Sequence, residues 1–293
     1  YDFCGMSWRM GTNDTVSERC SDTELSIVDF GQMSEVAYHL PDIGEVHTVM
    51  QKYLPGWHVE RYKVYNEDEN DRTSWIHMQR GSTSVIAIRG TSSAVEILED
   101  LMLWMPVAFL QIAATLGPSL YSKHNILAAR VSRAGHFHDL HAYIDEMKRN
   151  TTNEHKVYIT GHSLGGGLAT ILSAMSDIPA VTFSAPGLED TSVIIRPKLN
   201  GSLLVRRATN VVPDKDVVPK VDYQRGTVFH TECPLENPAS CHYLRVTMCE
   251  LLAACGDGGG REIPRGYVRK CDICQQAGQD VSRMCSANEL RGQ

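Results

Sequence analysis

Apolar and β-branched residues cluster in short runs that predict β-strands along most of the chain. Some of these runs alternate between apolar and polar positions, and others are continuously apolar, as in a buried strand. Strands are predicted at 57–65, 73–80, 83–90, 180–184, 203–207 and 226–230.

Helical spacing of apolar positions predicts helices between these strands. One helix is predicted at 29–40 and another at 134–149, where apolar residues fall on one stripe. The stripe consists of Phe137, Leu140, Ile144 and Met147. Strands that alternate with helices after residue 80 favour an α/β fold with a mainly parallel sheet and crossover helices.

The chain of 293 residues is long enough for one large domain or for one domain with an appendage. Cysteines become frequent from about Cys233, and the C-terminal residues are rich in glycine and charge. We therefore predict one domain over 1–250 and a cysteine-rich C-terminal extension over 251–293.

One segment, residues 101–121, contains no charged residue. Its length reaches that of a membrane-spanning helix. However, the predicted strands before and after it belong to one sheet, and Pro106 and the pair Gly117-Pro118 would interrupt a continuous helix. We interpret about 95–121 as an apolar lid that opens onto lipid. A buried helical hairpin and a true membrane span are the alternatives.

A strand-turn-helix pattern marks the candidate nucleophile. The β-branched run 156–160 leads into Gly161-His162-Ser163-Leu164-Gly165, and a helix of small residues follows. This G-x-S-x-G pattern between a strand and a helix is typical of a nucleophile elbow, in which a tight turn exposes the serine hydroxyl. Glycine in a helix costs roughly 1 kcal/mol relative to alanine, so the run 165–167 indicates close backbone approach.

A serine nucleophile needs a histidine base and a carboxylate that orients it, and in this fold type both follow the serine. Asp216 is favoured as the acid because it follows an apolar stretch, with Asp214 as the alternative. Two histidines follow Ser163, namely His230 and His242. We favour His242, which lies between a cysteine and a helical pattern, over His230, which ends an apolar run.

The oxyanion of an acyl-transfer reaction needs two convergent N–H donors. The amide of Leu164, directly after the nucleophile, is one candidate. The amide of Thr91 is the other, because the strand 84–89 closes there in a glycine turn.

Four motifs in this order carry a resemblance to a known family. They are Ile88-Arg89-Gly90-Thr91, Gly161-His162-Ser163-Leu164-Gly165-Gly166, Val181-Thr182-Phe183-Ser184-Ala185-Pro186 and Asp216-Val217-Val218-Pro219. Over about 30–250 the chain resembles the class 3 (fungal-type) lipase family. The resemblance implies an α/β-hydrolase fold, a Ser163–Asp216–His242 triad, an oxyanion hole at Thr91 and Leu164, and a mobile lid.

Composition narrows the functional classes. A net charge of −7 with scattered Lys and Arg argues against a nucleic-acid partner. Nine cysteines and sequons at Asn13, Asn150 and Asn200 indicate a secreted glycoprotein with disulfides. The cysteines around Cys271 and Cys274 are therefore predicted to form disulfides rather than a zinc site. A metal cluster at the histidines 136, 138 and 141 is also disfavoured, because these lie opposite an apolar stripe.

Together these features predict a secreted acylglycerol lipase that needs no cofactor and acts on lipid esters at a membrane or lipid-droplet surface. A phospholipase and a soluble carboxylesterase with the same residues are alternative enzymes. A catalytically inactive lipid-binding module is the alternative of another class.

Overall fold

The structure is a computed structural model that describes residues 25–65, 73–90, 137–150, 155–194, 199–233 and 235–255. The predictions made for Thr91, for the lid at about 95–121 and for residues 256–293 lie outside these ranges. The domain division at residue 250 also stays a prediction.

A seven-stranded sheet forms the centre of the described part of the chain, and its strands lie in chain order. The strands are β1 (His58–Lys63), β2 (Trp75–Arg80), β3 (Thr83–Ile88), β4 (Lys156–His162), β5 (Ala180–Phe183), β6 (Ala208–Pro213) and β7 (Thr227–Thr231). Strands β1, β2 and β3 pair antiparallel, whereas β3 to β7 pair parallel. The predicted mainly parallel α/β architecture is confirmed. Parallel strands end at the same edge of a sheet, so the segments after β3, β4, β5 and β6 meet there.

The described helices are numbered here in chain order. They are α1 (Ile27–Tyr38), α2 (Ile43–Tyr53), α3 (His138–Asn150), α4 (Leu164–Ser176), α5 (Thr191–Ile194), α6 (Gly201–Arg207), α7 (Pro238–Cys241) and α8 (Leu244–Cys255). A short 3₁₀ helix also covers Val218–Lys220.

Apolar side chains on the two faces of the sheet pack into two separate cores. Strand β3 shows the division, because Val85 and Ala87 join one core and Ile86 and Ile88 join the other. Helices α1, α2 and α8 cover the first face, and α3, α4 and α6 cover the second. Burial on both faces explains why β3 and β5, in the middle of the sheet, do not alternate between buried and exposed positions.

One predicted strand is wrong. Residues 203–207 lie in helix α6, and strand β6 begins at Ala208. The side chain of Asn200 caps this helix by accepting a hydrogen bond from the amide of Ser202. Of the apolar residues here, Leu204 is buried and Val205 is exposed, which is the pattern of a helix with one buried side.

Among the helices in the described ranges, none is both long enough and apolar enough to cross a bilayer.

Candidate active site

Ser163 is the single residue between strand β4 and helix α4. Its backbone has φ 57° and ψ −128°, a conformation that costs free energy for any residue with a Cβ atom. Two hydrogen bonds hold the turn: the Ser163 amide donates to the carbonyl of Phe183, and the Gly167 amide donates to the carbonyl of Ser163. The chain thus makes the sharp strand-to-helix turn that the sequence predicted.

Close backbone contacts explain the glycine at the start of α4. A Cβ atom added at Gly165 would lie 2.3 Å from the carbonyl oxygen of Ile88 and 2.8 Å from the amide nitrogen of Gly90. These are main-chain atoms that cannot rotate away. Helix α4 therefore lies directly against the end of β3, close to where the second oxyanion donor was predicted.

Asp216 lies in the loop after β6 and is fully buried. Its amide donates to the carbonyl of Pro213, and its Oδ1 accepts a hydrogen bond from the amide of Val218. The loop therefore closes around the carboxylate and holds it at the carboxyl edge of the sheet.

His242 directly follows the four-residue helix α7 and is also buried. The preceding residue, Cys241, forms a disulfide with Cys233, which follows β7. This disulfide ties the segment that carries the histidine to the edge of the sheet.

The three side chains form one continuous hydrogen-bonded row. The Nε2 of His242 is 2.8 Å from the Oγ of Ser163, and its Nδ1 is 2.9 Å from the Oδ2 and 3.1 Å from the Oδ1 of Asp216. A carboxylate only accepts hydrogen bonds, so Nδ1 carries the proton. The Nε2 of a neutral ring then has a lone pair directed at the serine hydroxyl.

The alternative acid and base contact each other elsewhere. His230 Nδ1 is 3.5 Å from Asp214 Oδ1, with 65% and 57% of the two side chains exposed. Water screens an ion pair of this kind, which makes it weak. Of the two histidines after Ser163, His242 is the one within hydrogen-bond distance of its hydroxyl.

The two predicted oxyanion donors differ in what the structure describes. Leu164 begins helix α4, so its N–H belongs to the first turn, where amides have no acceptor within the helix. The dipole of α4 adds a favourable potential for negative charge at that end. Thr91 lies outside the described residues, although Gly90 before it lies against the elbow.

Two neighbours of this row could not be recognised from sequence spacing. The sequence predicts a packing role for His162. In the structure, its Nε2 is 2.7 Å from the carbonyl oxygen of His242. Its Nδ1 is 2.7 Å from the hydroxyl of Tyr38, which lies 124 residues earlier in the chain. Burial, followed by the nearby His242, lowers the pKa of His162 to about 3.

A second missed group supports the loop that carries Asp216. Gln224 donates to the carbonyls of Pro219 and Ala185, and it accepts from Asn210, which also donates to Ala185. These bonds link the segment after β5 and the middle of β6 to the 3₁₀ helix. No local motif in the sequence marks Gln224.

Within the described ranges, no group of three His, Cys, Asp or Glu side chains is arranged to hold a metal ion. The row of carboxylate, imidazole and hydroxyl has the composition of a serine hydrolase site. It can transfer a proton from a serine hydroxyl to an imidazole whose charge a buried carboxylate then stabilises.

Comparison with known proteins identifies a family whose model matches part of the chain. Residues 63–211 match the model of the Tle-like phospholipase domain, described as phospholipase-like. The matched range includes Ser163 and ends before Asp216 and His242. No curated protein sequence matches the chain.

Two similar solved structures are fungal lipases. The Lip2 lipase from Yarrowia lipolytica is 14% identical, with 71% of this chain and 79% of that chain covered and a TM-score of 0.43. The Rhizomucor miehei lipase, in a propeptide complex, is also 14% identical, with 80% and 81% covered and a TM-score of 0.43. Likenesses this distant assign no substrate to this chain.

The matched family model covers just over half of the 293 residues. It agrees with the resemblance to lipid hydrolases of the fungal type that the sequence motifs carry. The chain therefore belongs to the Tle-like phospholipase domain family and is an ester-hydrolysing enzyme with an α/β-hydrolase fold.

Proposed function

We propose that the chain is a secreted acylglycerol lipase in which Ser163 is the nucleophile, His242 the base and Asp216 the acid that orients it. The observation that carries the proposal is the row of hydrogen bonds from Ser163 through His242 to Asp216, with 2.8 Å and 2.9 Å between the bonded atoms. The strained turn at Ser163 supports it, because such strain is concentrated at functional sites.

The reaction has two steps. His242 takes the hydroxyl proton through Nε2 as Ser163 Oγ attacks the carbonyl carbon of the ester. The oxyanion that forms accepts a hydrogen bond from the amide of Leu164 and, in this proposal, from that of Thr91. The intermediate then collapses, and the alcohol leaves with the proton from His242.

Water completes the cycle. His242 takes a proton from the water as its oxygen attacks the acyl carbon, and returns that proton to Ser163 Oγ as the fatty acid leaves. Throughout, Asp216 accepts from Nδ1–H and stabilises the imidazolium that forms twice per turnover. No step requires a cofactor.

Exposed apolar side chains beside the site favour a lipid ester as the substrate. Val217 directly follows Asp216 and is 53% exposed, and Tyr243 directly follows His242 and is 60% exposed. Apolar groups of this kind suit an acyl chain or a lipid surface. The charge-free segment 101–121 supports the same proposal, with about 95–121 acting as the lid that contacts a membrane or lipid droplet.

A phospholipase is the second candidate function. The matching family model, which describes a phospholipase domain, supports it. A panel of tri-, di- and phospho-acylglycerols, each assayed below and above its solubility limit, separates the two candidates. The lipase proposal expects triacylglycerol hydrolysis to rise sharply once an interface forms, whereas exclusive hydrolysis of phospholipids would overturn it.

Disulfides and sequons support secretion. Cys233 and Cys241 are bonded to each other, and Cys249 is also disulfide-bonded. Asn150 and Asn200, which begin two of the sequons, are exposed and could carry glycans. A mobility shift on deglycosylation of the protein expressed in a eukaryotic host tests this part of the proposal, and unmodified secreted protein would contradict it.

A fluorophosphonate probe tests the nucleophile. We expect it to label Ser163, and we expect Ser163→Ala to abolish both labelling and ester hydrolysis. Ser173→Ala is the matched control, because Ser173 is a buried serine of the helix that follows Ser163, and its replacement is expected to leave labelling intact. Absence of labelling in the folded wild type would reject the enzymatic mechanism and favour a lipid-binding module.

A histidine pair tests the base. We expect His242→Ala to abolish hydrolysis, whereas His230→Ala keeps most of it because His230 is exposed. The opposite result would assign the base to His230.

A further inference from the structure

His162 contacts the proposed base from the elbow itself. It lies between Gly161 and Ser163, its side chain is buried, and its Nε2 is 2.7 Å from the carbonyl oxygen of His242. The two imidazole rings lie with their centroids 4.9 Å apart. One histidine therefore lies against both the main chain and the ring of the other.

The hydrogen-bond partners fix the protons on His162. A carbonyl oxygen only accepts, so Nε2 carries a proton and donates it to His242. Burial keeps the ring neutral, since it lowers the pKa to about 3, and Nδ1 is then an acceptor. The Tyr38 hydroxyl, 2.7 Å away, is the donor to this nitrogen.

Tyr38 is well suited to that task. Burial, followed by the charge of Glu35, raises the pKa of its hydroxyl well above the usual range, so the phenol keeps its proton. The main chain at Gly90 also packs closely against this hydroxyl. A Cβ atom added at Gly90 would lie 2.4 Å from it and 2.3 Å from the carbonyl oxygen of His162.

We propose that His162 is a positioning residue for the reaction: oriented by Tyr38, it holds His242 by its backbone carbonyl so that Nε2 stays aligned with Ser163. This inference rests on the proposed function, which assigns the role of base to His242. His162 itself exchanges no proton with the substrate.

His242 lies in the short connection between two helices, so its position also depends on contacts with the rest of the fold. The helix before it has four residues and is tied at Cys241 by the disulfide, and α8 begins two residues after it. The bond from His162 reaches His242 itself and connects it to β4, the strand that leads into Ser163. The proposed nucleophile, Ser163, thus directly follows the residue that contacts the proposed base.

The neutral state of His162 also matters for turnover. His242 becomes positively charged in each step, and a second cation with its ring centre 4.9 Å away would oppose that charge. Since Tyr38 donates to Nδ1 and Nε2 donates to His242, both nitrogens of His162 have hydrogen-bond partners while the ring stays neutral.

Three variants test the inference by steady-state hydrolysis and by the rate of fluorophosphonate labelling. His162→Leu removes the donor, and we expect kcat to fall about 10- to 100-fold with KM within twofold of wild type. His162→Gln keeps an N–H that can reach the carbonyl and is expected to recover most of kcat. Tyr38→Phe keeps the ring shape and is expected to lower kcat about 3- to 10-fold.

His77→Gln is the matched control. His77 is a second buried histidine of the same sheet, bonded through Nδ1 to Tyr143 and through Nε2 to Ser84. Its replacement is expected to lower thermal stability and to leave kcat within twofold of wild type. If kcat falls as much in this control as in His162→Leu, the loss would follow from replacing any buried histidine of the sheet. That result would overturn the inference.

The remaining outcomes also decide. A folded His162→Leu with wild-type kcat, or equal losses in His162→Leu and His162→Gln, would overturn the positioning role. If His162→Leu does not fold, Tyr38→Phe decides, and unchanged kcat in that variant rejects the inference. Failure of the wild type to hydrolyse any ester would instead refute the proposed function.

Discussion

Asp216 is fully buried, and its carboxylate has hydrogen-bond donors on the ring of His242 and on the backbone of Val218. An amide in its place can present an N–H to His242 Nδ1 and so favour the wrong tautomer. We expect Asp216→Asn to lower kcat about 10⁴-fold with little change in KM, measured by steady-state hydrolysis.

Asp214→Asn is the control for this substitution. Asp214 lies two residues earlier and is exposed, so the same chemical change there should leave kcat within a few-fold of wild type. Equal losses in both variants would show that the loop, and not the carboxylate of Asp216, is what matters.

Residues whose chemistry imposes a local pattern can be proposed from the sequence alone. The strand-to-helix turn at Ser163 could be predicted because a strand, two glycines and a helix surround this residue. Asp216 and His242 could be ranked from the order of residues, yet their distances from Ser163 depend on how β6 and α7 are placed. His162 and Tyr38 could not be paired, because 124 residues separate them and only the packing of α1 on the sheet brings them together.

The wrong strand at 203–207 shows a second reason for failure. Apolar runs of four or five residues suit a buried strand and a short helix equally well, so the pattern alone does not decide. The deciding signal was the cap Asn200-Gly201-Ser202, since asparagine accepts a hydrogen bond from the first turn of a helix.

At the scale of elements, the segment between β7 and α8 carries His242, the proposed base, and is closed by a disulfide. Cys233 and Cys241 are eight residues apart and both are buried. Closing a loop of this size contributes about 2 kcal/mol to the free energy of unfolding by restricting the unfolded chain.

We expect Cys233→Ala/Cys241→Ala to lower the free energy of unfolding by about 2 kcal/mol and to lower kcat, because His242 directly follows the bridge. Chemical denaturation and steady-state hydrolysis measure the two effects. Unchanged kcat in the folded double variant would show that His242 is held without the bridge.

For the molecule as a whole, two buried neutral histidines contribute to the dependence of stability on pH. Burial, followed by the charges of His155 and His58, lowers the pKa of His77 from 6.5 to about 4. Below pH 6.5 the unfolded chain binds a proton at this residue that the folded protein does not. Stability is therefore lost as the pH falls from about 6.5 to about 4, and His162 extends the loss to lower pH.

The expected loss from His77 is about 3 kcal/mol across this range, since each unit of pKa difference corresponds to about 1.4 kcal/mol. Thermal melts between pH 8 and pH 4 measure it. His77→Gln should be less stable at pH 8 and should show a shallower decline toward pH 4. An equally steep decline in this variant would assign the pH dependence to other groups.

The backbone conformation of Ser163 predicts an unusual order of thermal stability for two substitutions at this position. Alanine is usually better tolerated than glycine because glycine is more flexible when unfolded. At φ 57° and ψ −128° that ranking should reverse, so Ser163→Gly should melt at a higher temperature than Ser163→Ala, although both lack the hydroxyl. The difference between the two melting temperatures would then measure how much this turn costs a residue that carries a Cβ atom.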